Sequence, residues 1–231
     1  MTSLEKNCIQ DELLASHTSW KTGGRADIFF SPNSRDELSQ FLKSNDCNIT
    51  WLGNGTNILV RDGGVRGAVI STRKSFTNIE LFDESKCKVE AGVSCFELAM
   101  YATKNNFGPA AFFSGIPGSI GGALTMNAGC FGNETWEFVE SVEVIDRDGE
   151  IHQLYPKEFS ISYRTVTSPF PLWFLSCKMS FPDRGVTTIE ELKSMRDSRL
   201  ERQPLTENTC GSVFKNPYGG HAGDLIERSG L

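Results

Sequence analysis

The feature that most constrains the fold of this chain is a glycine-rich loop placed directly after a strand–helix–strand pattern. Residues 26–30 read as a short strand, and Ser34 with Glu37 has the spacing of a capping box at the start of an amphipathic helix. Residues 49–52 read as the next strand. The pattern therefore predicts a β-α-β unit that delivers the chain into residues 53–57.

This first loop, Gly53-Asn54-Gly55-Thr56-Asn57, allows backbone N–H groups to approach an anion because its glycines carry no Cβ. It differs from the dinucleotide fingerprint of doubly wound folds, which needs a third glycine and an immediate helix. Ile58 stands where that third glycine would be, and residues 58–60 read as a strand. The two glycines alone are weak evidence for a phosphate site.

A second loop, residues 115–123, has the sequence Gly-Ile-Pro-Gly-Ser-Ile-Gly-Gly-Ala. Pro117 fixes one backbone angle, whereas Gly118, Gly121 and Gly122 free others. A short helix that begins near Ser119 would also direct its positive end toward a phosphate. Two such loops suit the diphosphate of a dinucleotide-like cofactor, and composition alone leaves tight turns as an equal alternative.

The remaining pattern mixes short strands and helices, which predicts an α+β chain. We expect further strands at 67–71, 88–91 and 172–181, and a hairpin of 142–145 with 151–154. One helix should run from the Ser94–Glu97 capping box to about residue 105. A charged helix should cover 189–202, capped by Thr188 with Glu191 and ended by Pro204. A linker at 182–185 divides the chain into residues 1–182, with two subdomains, and residues 183–231.

Charge and cysteine usage exclude several classes of protein. The net charge of -6 gives no overall basic footprint for nucleic acid. Residues 1–14 lack the apolar run of a signal peptide, and no stretch is apolar enough to cross a bilayer. The seven cysteines contain no C-x-x-C pair, and the three histidines have no metal-ligand spacing. We expect a cytoplasmic protein without a metal site or membrane insertion.

Five motifs in order give the chain a family resemblance. The first loop with Ile58-Leu59-Val60, and the second loop continued through residues 126–134, resemble the two flavin loops of UDP-N-acetylenolpyruvoylglucosamine reductases (the MurB family). Ser-Tyr-Arg at 162–164, Gly-Ser-Val-Phe-Lys-Asn-Pro at 211–217 and the stretch 222–231 are similar to the later motifs of that family. The set covers nearly the whole chain from Thr18 onward, with the spacing of the shorter branch.

The resemblance implies a flavin-binding fold of the vanillyl-alcohol oxidase and p-cresol methylhydroxylase type for residues 1–182. Residues 183–231 would begin an α/β substrate-binding lobe. It further implies non-covalent FAD, NADPH as reductant, and reduction of UDP-N-acetylglucosamine enolpyruvate to UDP-N-acetylmuramate for peptidoglycan, and hence for cell shape and division. We expect a monomer whose partners are the UDP-sugar substrate and NADPH.

The implied site residues fall into three groups. Arg164 would anchor the substrate carboxylate through its planar guanidinium, and Ser212 would donate the proton. Tyr163, Lys215 and Asn216 would contact substrate, and Lys215 would make Ser212 a better acid. The cofactor set carried over by the resemblance is Gly53, Asn54, Gly55, Thr56, Asn57, Pro117, Gly118, Ser119, Gly121, Gly122 and Ala123.

Arg196, Arg199 and Arg202 repeat at helical spacing on the charged helix, so they could together bind the diphosphate of the UDP group as a clamp. Of the three, we select Arg196 as a substrate-binding residue. The alternative is a solvated charged face, since Glu190, Glu191 and Glu201 share the helix.

Three departures from the family pattern bear on function. Thr56 keeps the hydroxyl of the usual Ser, whereas Cys130 and Phe131 replace an Ala-Tyr pair and lose an aromatic hydroxyl. The family also continues beyond residue 231, where it supplies the rest of its substrate lobe and a catalytic Glu. Two other functions therefore remain open: a flavin-binding fragment with impaired catalysis, and another FAD-linked oxidoreductase of the same superfamily, against which the 211–217 motif argues.

Overall fold

The computed structural model describes residues 7–181, 187–202 and 207–230 of the protein. The strands are β1 Cys8–Leu13, β2 Arg25–Phe30, β3 Ile49–Leu52, β4 Val65–Ser71, β5 Ile79–Asp83, β6 Lys86–Glu90, β7 Gly129–Cys130, β8 Asn133–Glu134, β9 Val139–Asp146, β10 Ile151–Leu154, β11 Ser160–Ser162, β12 Thr165–Thr167 and β13 Leu172–Ser180. The helices are α1 Arg35–Ser44, α2 Cys95–Lys104, α3 Ile120–Met126, α4 Ile189–Arg202 and α5 Ala222–Arg228. Helices and strands mix along the chain, which confirms the α+β class.

The first sheet contains the predicted β-α-β unit. Its order is β1-β2-β4-β3, with β2 and β3 both parallel to β4 between them and β1 antiparallel at the edge. Helix α1 begins where expected, because the Ser34 hydroxyl accepts the Glu37 N–H at 3.1 Å. The Glu37 carboxylate in turn accepts the Asn33 N–H at 2.7 Å.

The strand expected at 58–60 is wrong. After β3 the chain turns through the first glycine loop, and residues 58–60 form no strand before β4 begins at Val65. Val60 is buried against Gly23, whereas Leu59 is 65% exposed. The apolar run thus reflects packing of single side chains in the loop rather than a sheet position.

The second sheet is antiparallel, in the order β10-β9-β13-β6-β5. The predicted hairpin is present, with Ile151 opposite Ile145 and Leu154 opposite Val142. Helix α2 carries the full Ser94–Glu97 capping box and buries Leu98, among other residues, in the main core. Strands β1 and β5, both at sheet edges, and helix α5 were not anticipated from the sequence.

Helix α1 lies between the two sheets and joins them. Its buried Leu38, Phe41 and Leu42 form one apolar cluster with Ile70 of the first sheet and Leu175 of the second. Indole rings also meet across this junction, since Trp51 of β3 and Trp173 of β13 stack with centroids 5.4 Å apart. The sheets are therefore held in a fixed relation on either side of the first glycine loop.

Arg147, in the β9–β10 turn, adds a polar clamp at the end of α1. Its guanidinium donates to the carbonyls of Leu42 at 3.0 Å and Cys47 at 3.1 Å, and also to that of Asn45. A cation at a helix C-terminus satisfies carbonyls that have no partner within the helix. The hairpin of the second sheet is thereby fastened to the helix of the first.

Helix α4 packs on the preceding region. Thr188 caps it as expected, accepting the Glu191 N–H at 3.1 Å, and Leu192 is buried in the main core. Thr187 bonds Phe107 and Ala110. The linker expected at 182–185 and the helix end expected at Pro204 lie outside the described residues, so the boundary near 182 stays a prediction. No helix in the described ranges is long and apolar enough to cross a membrane.

We predict that Arg147→Met lowers the free energy of unfolding by about 1–3 kcal/mol, because charge-assisted bonds to three carbonyls are lost while the aliphatic stem stays. Urea unfolding followed by circular dichroism measures the change. Arg66→Met is the control, since the Arg66 side chain is 81% exposed and its ion pair with Asp27 is at the surface. Equal unfolding midpoints for the two variants would contradict the clamp.

Candidate active site

One large cleft of about 1350 Å³ is lined by nearly all of the residues that the sequence marked as functional. Both glycine loops, the turn between β11 and β12, one face of α4 and the segment 211–216 line it. A volume above the ~300–1000 Å³ of small-molecule sites suits an extended cofactor together with a substrate. All implied site residues except Arg196 lie in its wall.

The first loop has its shape because two of its glycines face other atoms closely. A Cβ on Gly53 would lie 2.6 Å from Ser119 Oγ, so the two loops touch at this point. Gly55 has φ +68°, and a Cβ there would lie 2.0 Å from the His17 carbonyl oxygen. The Ser19 N–H donates to the Gly55 carbonyl at 2.9 Å. The turn at 17–19 thus crosses over the loop and fixes it.

The N–H groups of this loop are available to a ligand. Within the part of the chain that the structure describes, no protein acceptor receives the backbone N–H of Asn54, Gly55, Thr56 or Asn57. Backbone N–H groups without partners are costly unless water or a ligand binds them. Four such N–H groups in succession, in residues that line the cleft, are a set of donors that can bind phosphate oxygens.

The second loop is bonded to residue 91 on one side and is open to the cleft on the other. Helix α3 begins after Ser119, as expected, and the Gly121 N–H donates to the Ala91 carbonyl at 2.8 Å. A Cβ on Gly121 would press on Ala91 at 3.1 Å, whereas a Cβ on Gly122 would meet only Ser119 Oγ at 3.7 Å. Gly122 therefore lies open in the cleft wall beside the first loop.

Arg164 and the 211–217 segment meet at another wall of the same cleft. Arg164 occupies the β11–β12 turn with φ +52°, an unusual conformation for a residue with a side chain. Its Nη1 donates to the carbonyls of Ser212 and Phe214, both at 3.1 Å. Lys215 Nζ donates to Thr165 Oγ1 at 2.7 Å. The structure thus brings Arg164 and Lys215 to the Ser212 segment, and the catalytic roles that the resemblance implied for them stay predictions.

Tyr163 and Asn216 also line the cleft. The Asn216 amide oxygen accepts the Ala222 N–H at 3.1 Å, which places it at the start of α5 in a structural role as well. Their substrate contacts stay predictions.

The arginines of α4 are divided between solvent and cleft. Arg196 is exposed and does not line the cleft, so its role as a clamp stays a prediction without support from its position. Arg199 lines the cleft, following Leu192 and Met195 on the face that packs against the core. Burial lowers the pKa of the Arg199 guanidinium, and Cys130 is close enough to oppose that shift. Burial likewise raises the pKa of the Cys130 thiol.

Two residues that sequence reasoning gave no role stand in the same wall. Asn127 is buried with φ +42°, and its amide donates to the Glu134 carboxylate at 2.6 Å and more weakly to the Ser162 carbonyl at 3.4 Å. It thereby connects the continuation of the second loop to the Arg164 turn. Both residues belong to the 126–134 motif, but a motif alone does not reveal that one side chain bridges two loops.

Comparison with known proteins gives the class first. The FAD binding domain family matches residues 26–155, more than half of the chain. The structure of a Phl p 4 variant, a glucose oxidase, shares the fold with a TM-score of 0.56 over 76% of this chain and 41% of its own, at 13% identity. The chain is therefore a flavoprotein with the expected FAD-binding fold.

The relatives then give the family. The UDP-N-acetylenolpyruvoylglucosamine reductase of Legionella pneumophila strain Paris is 41% identical over all of this chain and 77% of its own length. That of Methylococcus capsulatus is 41% identical over 96% of this chain and 74% of its own. The MurB crystal structure from Thermus caldophilus superposes with a TM-score of 0.80 at 29% identity, covering 97% of this chain and 79% of the other. The protein belongs to the UDP-N-acetylenolpyruvoylglucosamine reductase family.

We predict that Gly122→Val abolishes FAD binding while the fold is retained, because the branched side chain would fill the open cleft wall where the cofactor approaches. Flavin absorbance of the purified protein measures this, with circular dichroism as the check on folding. Gly63→Val is the matched control, since a Cβ there has nothing within 4 Å and Gly63 lies outside the cleft. Equal flavin content in parent and Gly122→Val would refute the assignment.

Proposed function

We propose that this protein catalyses the NADPH-dependent reduction of UDP-N-acetylglucosamine enolpyruvate to UDP-N-acetylmuramate, a step of peptidoglycan synthesis. The relatives that carry this name align along the whole chain. The observation that carries the proposal is that one cleft is lined by residues 54–57, whose N–H groups have no protein acceptor among the described residues, and by Arg164 and Ser212. Family membership and the 211–217 segment in that cleft favour this reaction over that of another FAD-linked oxidoreductase.

The residues present fit FAD. The four N–H groups at 54–57 would receive the oxygens of its diphosphate, and the bare Gly122 would let the same group approach the second loop. FAD, when bound, would supply hydride-transfer chemistry, with NADPH as reductant and the enolpyruvyl double bond as acceptor. Every other part of the reaction falls to side chains of the protein.

Arg164 is proposed to hold the substrate carboxylate. Both of its hydrogen bonds to described residues use Nη1, and no acceptor among those residues takes Nη2 or Nε. That second edge of the guanidinium can form two parallel bonds to a carboxylate. Negative charge builds on this carboxylate as hydride arrives at the neighbouring double bond, so a fixed cation stabilises the transition state more than the substrate.

Ser212 is proposed to donate the proton. A serine hydroxyl is a weak acid, so it needs positive charge nearby when its proton leaves. Arg164 contacts the Ser212 backbone directly, and Lys215 is anchored to Thr165 in the adjoining turn. These two cations would stabilise the alkoxide that remains on Ser212.

Substrate contacts complete the proposal. Tyr163, Lys215 and Asn216 line the cleft beside Arg164 and would contact the sugar nucleotide. For its diphosphate, Arg199 is better placed than the predicted Arg196, because Arg199 lines the cleft. We expect the protein to act as a cytoplasmic monomer, with residues 1–182 as the FAD-binding region and 183–231 within the substrate lobe.

We predict that Ser212→Ala separates the two half-reactions. Bleaching of the flavin absorbance by NADPH needs only cofactor geometry and should change little. Recovery of the absorbance on adding the enolpyruvyl substrate needs the proton and should slow by ~10²–10⁴-fold. Anaerobic stopped-flow absorbance follows both steps.

Ser44→Ala serves as the control, since the Ser44 hydroxyl donates only within its own helix. If Ser212→Ala slows the NADPH step alone, the proton donor is another group. If even the parent fails to recover its absorbance, the proposed reaction is wrong for this protein.

A further inference from the structure

Asn127 lies where the second glycine loop and the Arg164 turn come together, and the proposed reaction gives it no role. The helix that begins after Ser119 ends before Asn127, which is buried and also lines the cleft. Strands β11 and β12, which carry the Arg164 turn, form a separate two-stranded sheet. Contacts with neighbouring segments must therefore fix the position of the Arg164 side chain.

The hydrogen bonds of the Asn127 amide fix which way its oxygen and nitrogen point. Its oxygen accepts the Trp136 backbone N–H at 3.2 Å, and its nitrogen donates to the Glu134 carboxylate at 2.6 Å. The reversed amide would place its oxygen against that carboxylate and its N–H groups against the Trp136 N–H, which is unfavourable on both sides. In the fixed orientation, the nitrogen also donates to the Ser162 carbonyl at 3.4 Å.

The Ser162 carbonyl lies at the base of the Arg164 turn. Ser162 ends β11 and pairs with Thr165 at the start of β12, so Tyr163 and Arg164 are the two residues of the turn. Arg164 has a positive φ, which a residue with a side chain keeps only when its surroundings enforce it. A bond at Ser162 therefore acts on the backbone that determines where the guanidinium lies.

We propose that Asn127, oriented by Glu134, is a positioning residue that holds the Arg164 guanidinium where it binds the substrate carboxylate. This rests on the role proposed above for Arg164. A cation stabilises a transition state best when its position is fixed before the reaction, and a displacement of about 1 Å costs up to ~10²-fold in rate. Asn127 and Glu134 act through Arg164 and need no contact with the reacting atoms.

The loop that follows Asn127 is closed by bonds that do not use the Asn127 side chain. The Ala128 carbonyl accepts from the Thr135 N–H at 3.0 Å and from the Thr135 hydroxyl at 2.6 Å. The Trp136 indole N–H donates to the Leu124 carbonyl at 2.8 Å. Glycine also suits the φ of +42° at position 127, so we expect the variant Asn127→Gly to fold.

The test variant is Asn127→Gly, and Asn106→Gly is its matched control. Asn106 also has a positive φ, +56°, but it is exposed and lies outside the cleft. Anaerobic stopped-flow absorbance measures flavin reduction by NADPH and flavin reoxidation by the enolpyruvyl substrate as separate rates. We expect Asn127→Gly to slow reoxidation by ~10–100-fold, to leave reduction nearly unchanged and to retain bound FAD. The control should keep both rates.

Two further comparisons distinguish positioning from a general loss of structure. Arg164→Met removes the guanidinium, so adding Asn127→Gly to it should slow reoxidation by no more than about twofold further. Glu134→Gln keeps an acceptor for the Asn127 amide and should retain most of the reoxidation rate. Glu134→Ala removes that acceptor and should slow reoxidation as Asn127→Gly does.

The proposal is wrong if Asn127→Gly slows both half-reactions equally, if its full effect persists on top of Arg164→Met, or if Glu134→Gln behaves like Glu134→Ala. A parent protein that the substrate does not reoxidise would instead contradict the proposed function. Amide hydrogen exchange in β11 and β12 would then test the positioning, because Asn127→Gly should accelerate it and Asn106→Gly should not. Unchanged exchange there would overturn the proposal.

Discussion

The crossing of the His17 carbonyl over Gly55 is the contact on which the candidate site depends. A side chain at position 55 would collide with that carbonyl, and the positive φ of Gly55 turns the loop beneath it. The consequence is that the N–H groups of residues 54–57 are left without protein acceptors along one wall of the cleft. If the N–H groups of this loop bonded to its own carbonyls, the loop would be more stable without a ligand. It would then have no free N–H donors for a phosphate.

The rest of the fold keeps that crossing in place. Helix α1 buries Leu38, Phe41 and Leu42 between the two sheets, and Arg147 fastens its end to the second sheet. Behind the second loop, Gly121 is bonded to Ala91 after β6, so both loops are fixed to different sheets yet touch where Gly53 meets Ser119. If the two sheets moved relative to each other, the two glycine loops would separate. The tight packing of α1 between the sheets therefore helps to keep the loops in contact.

Local chemistry was readable from the sequence where a few adjacent residues decide the structure. Ser94 with Glu97 and Ser119 before Ile120 begin helices as predicted, because N-capping depends on residues three apart. The strand predicted at 58–60 failed because an apolar run does not reveal whether a partner strand is available.

Contacts between residues far apart in the sequence could not be predicted, because the residues near one another in the chain do not determine them. The helical spacing of Leu192, Met195 and Arg199 could have indicated which arginine faces the core, but no local pattern indicates that Asn127 joins two loops or that residues 17–19 cross residue 55. The family motifs named the residues at the site, but the spatial grouping of Arg164, Ser212 and Lys215 required the structure.

Amide hydrogen exchange at residues 54–57 tests the central claim most directly. If these N–H groups receive the FAD diphosphate, adding FAD to the apoprotein should slow their exchange strongly. Riboflavin, which has no phosphate, should leave them as they were. Exchange at these four amides that is equally fast with and without FAD would contradict the account.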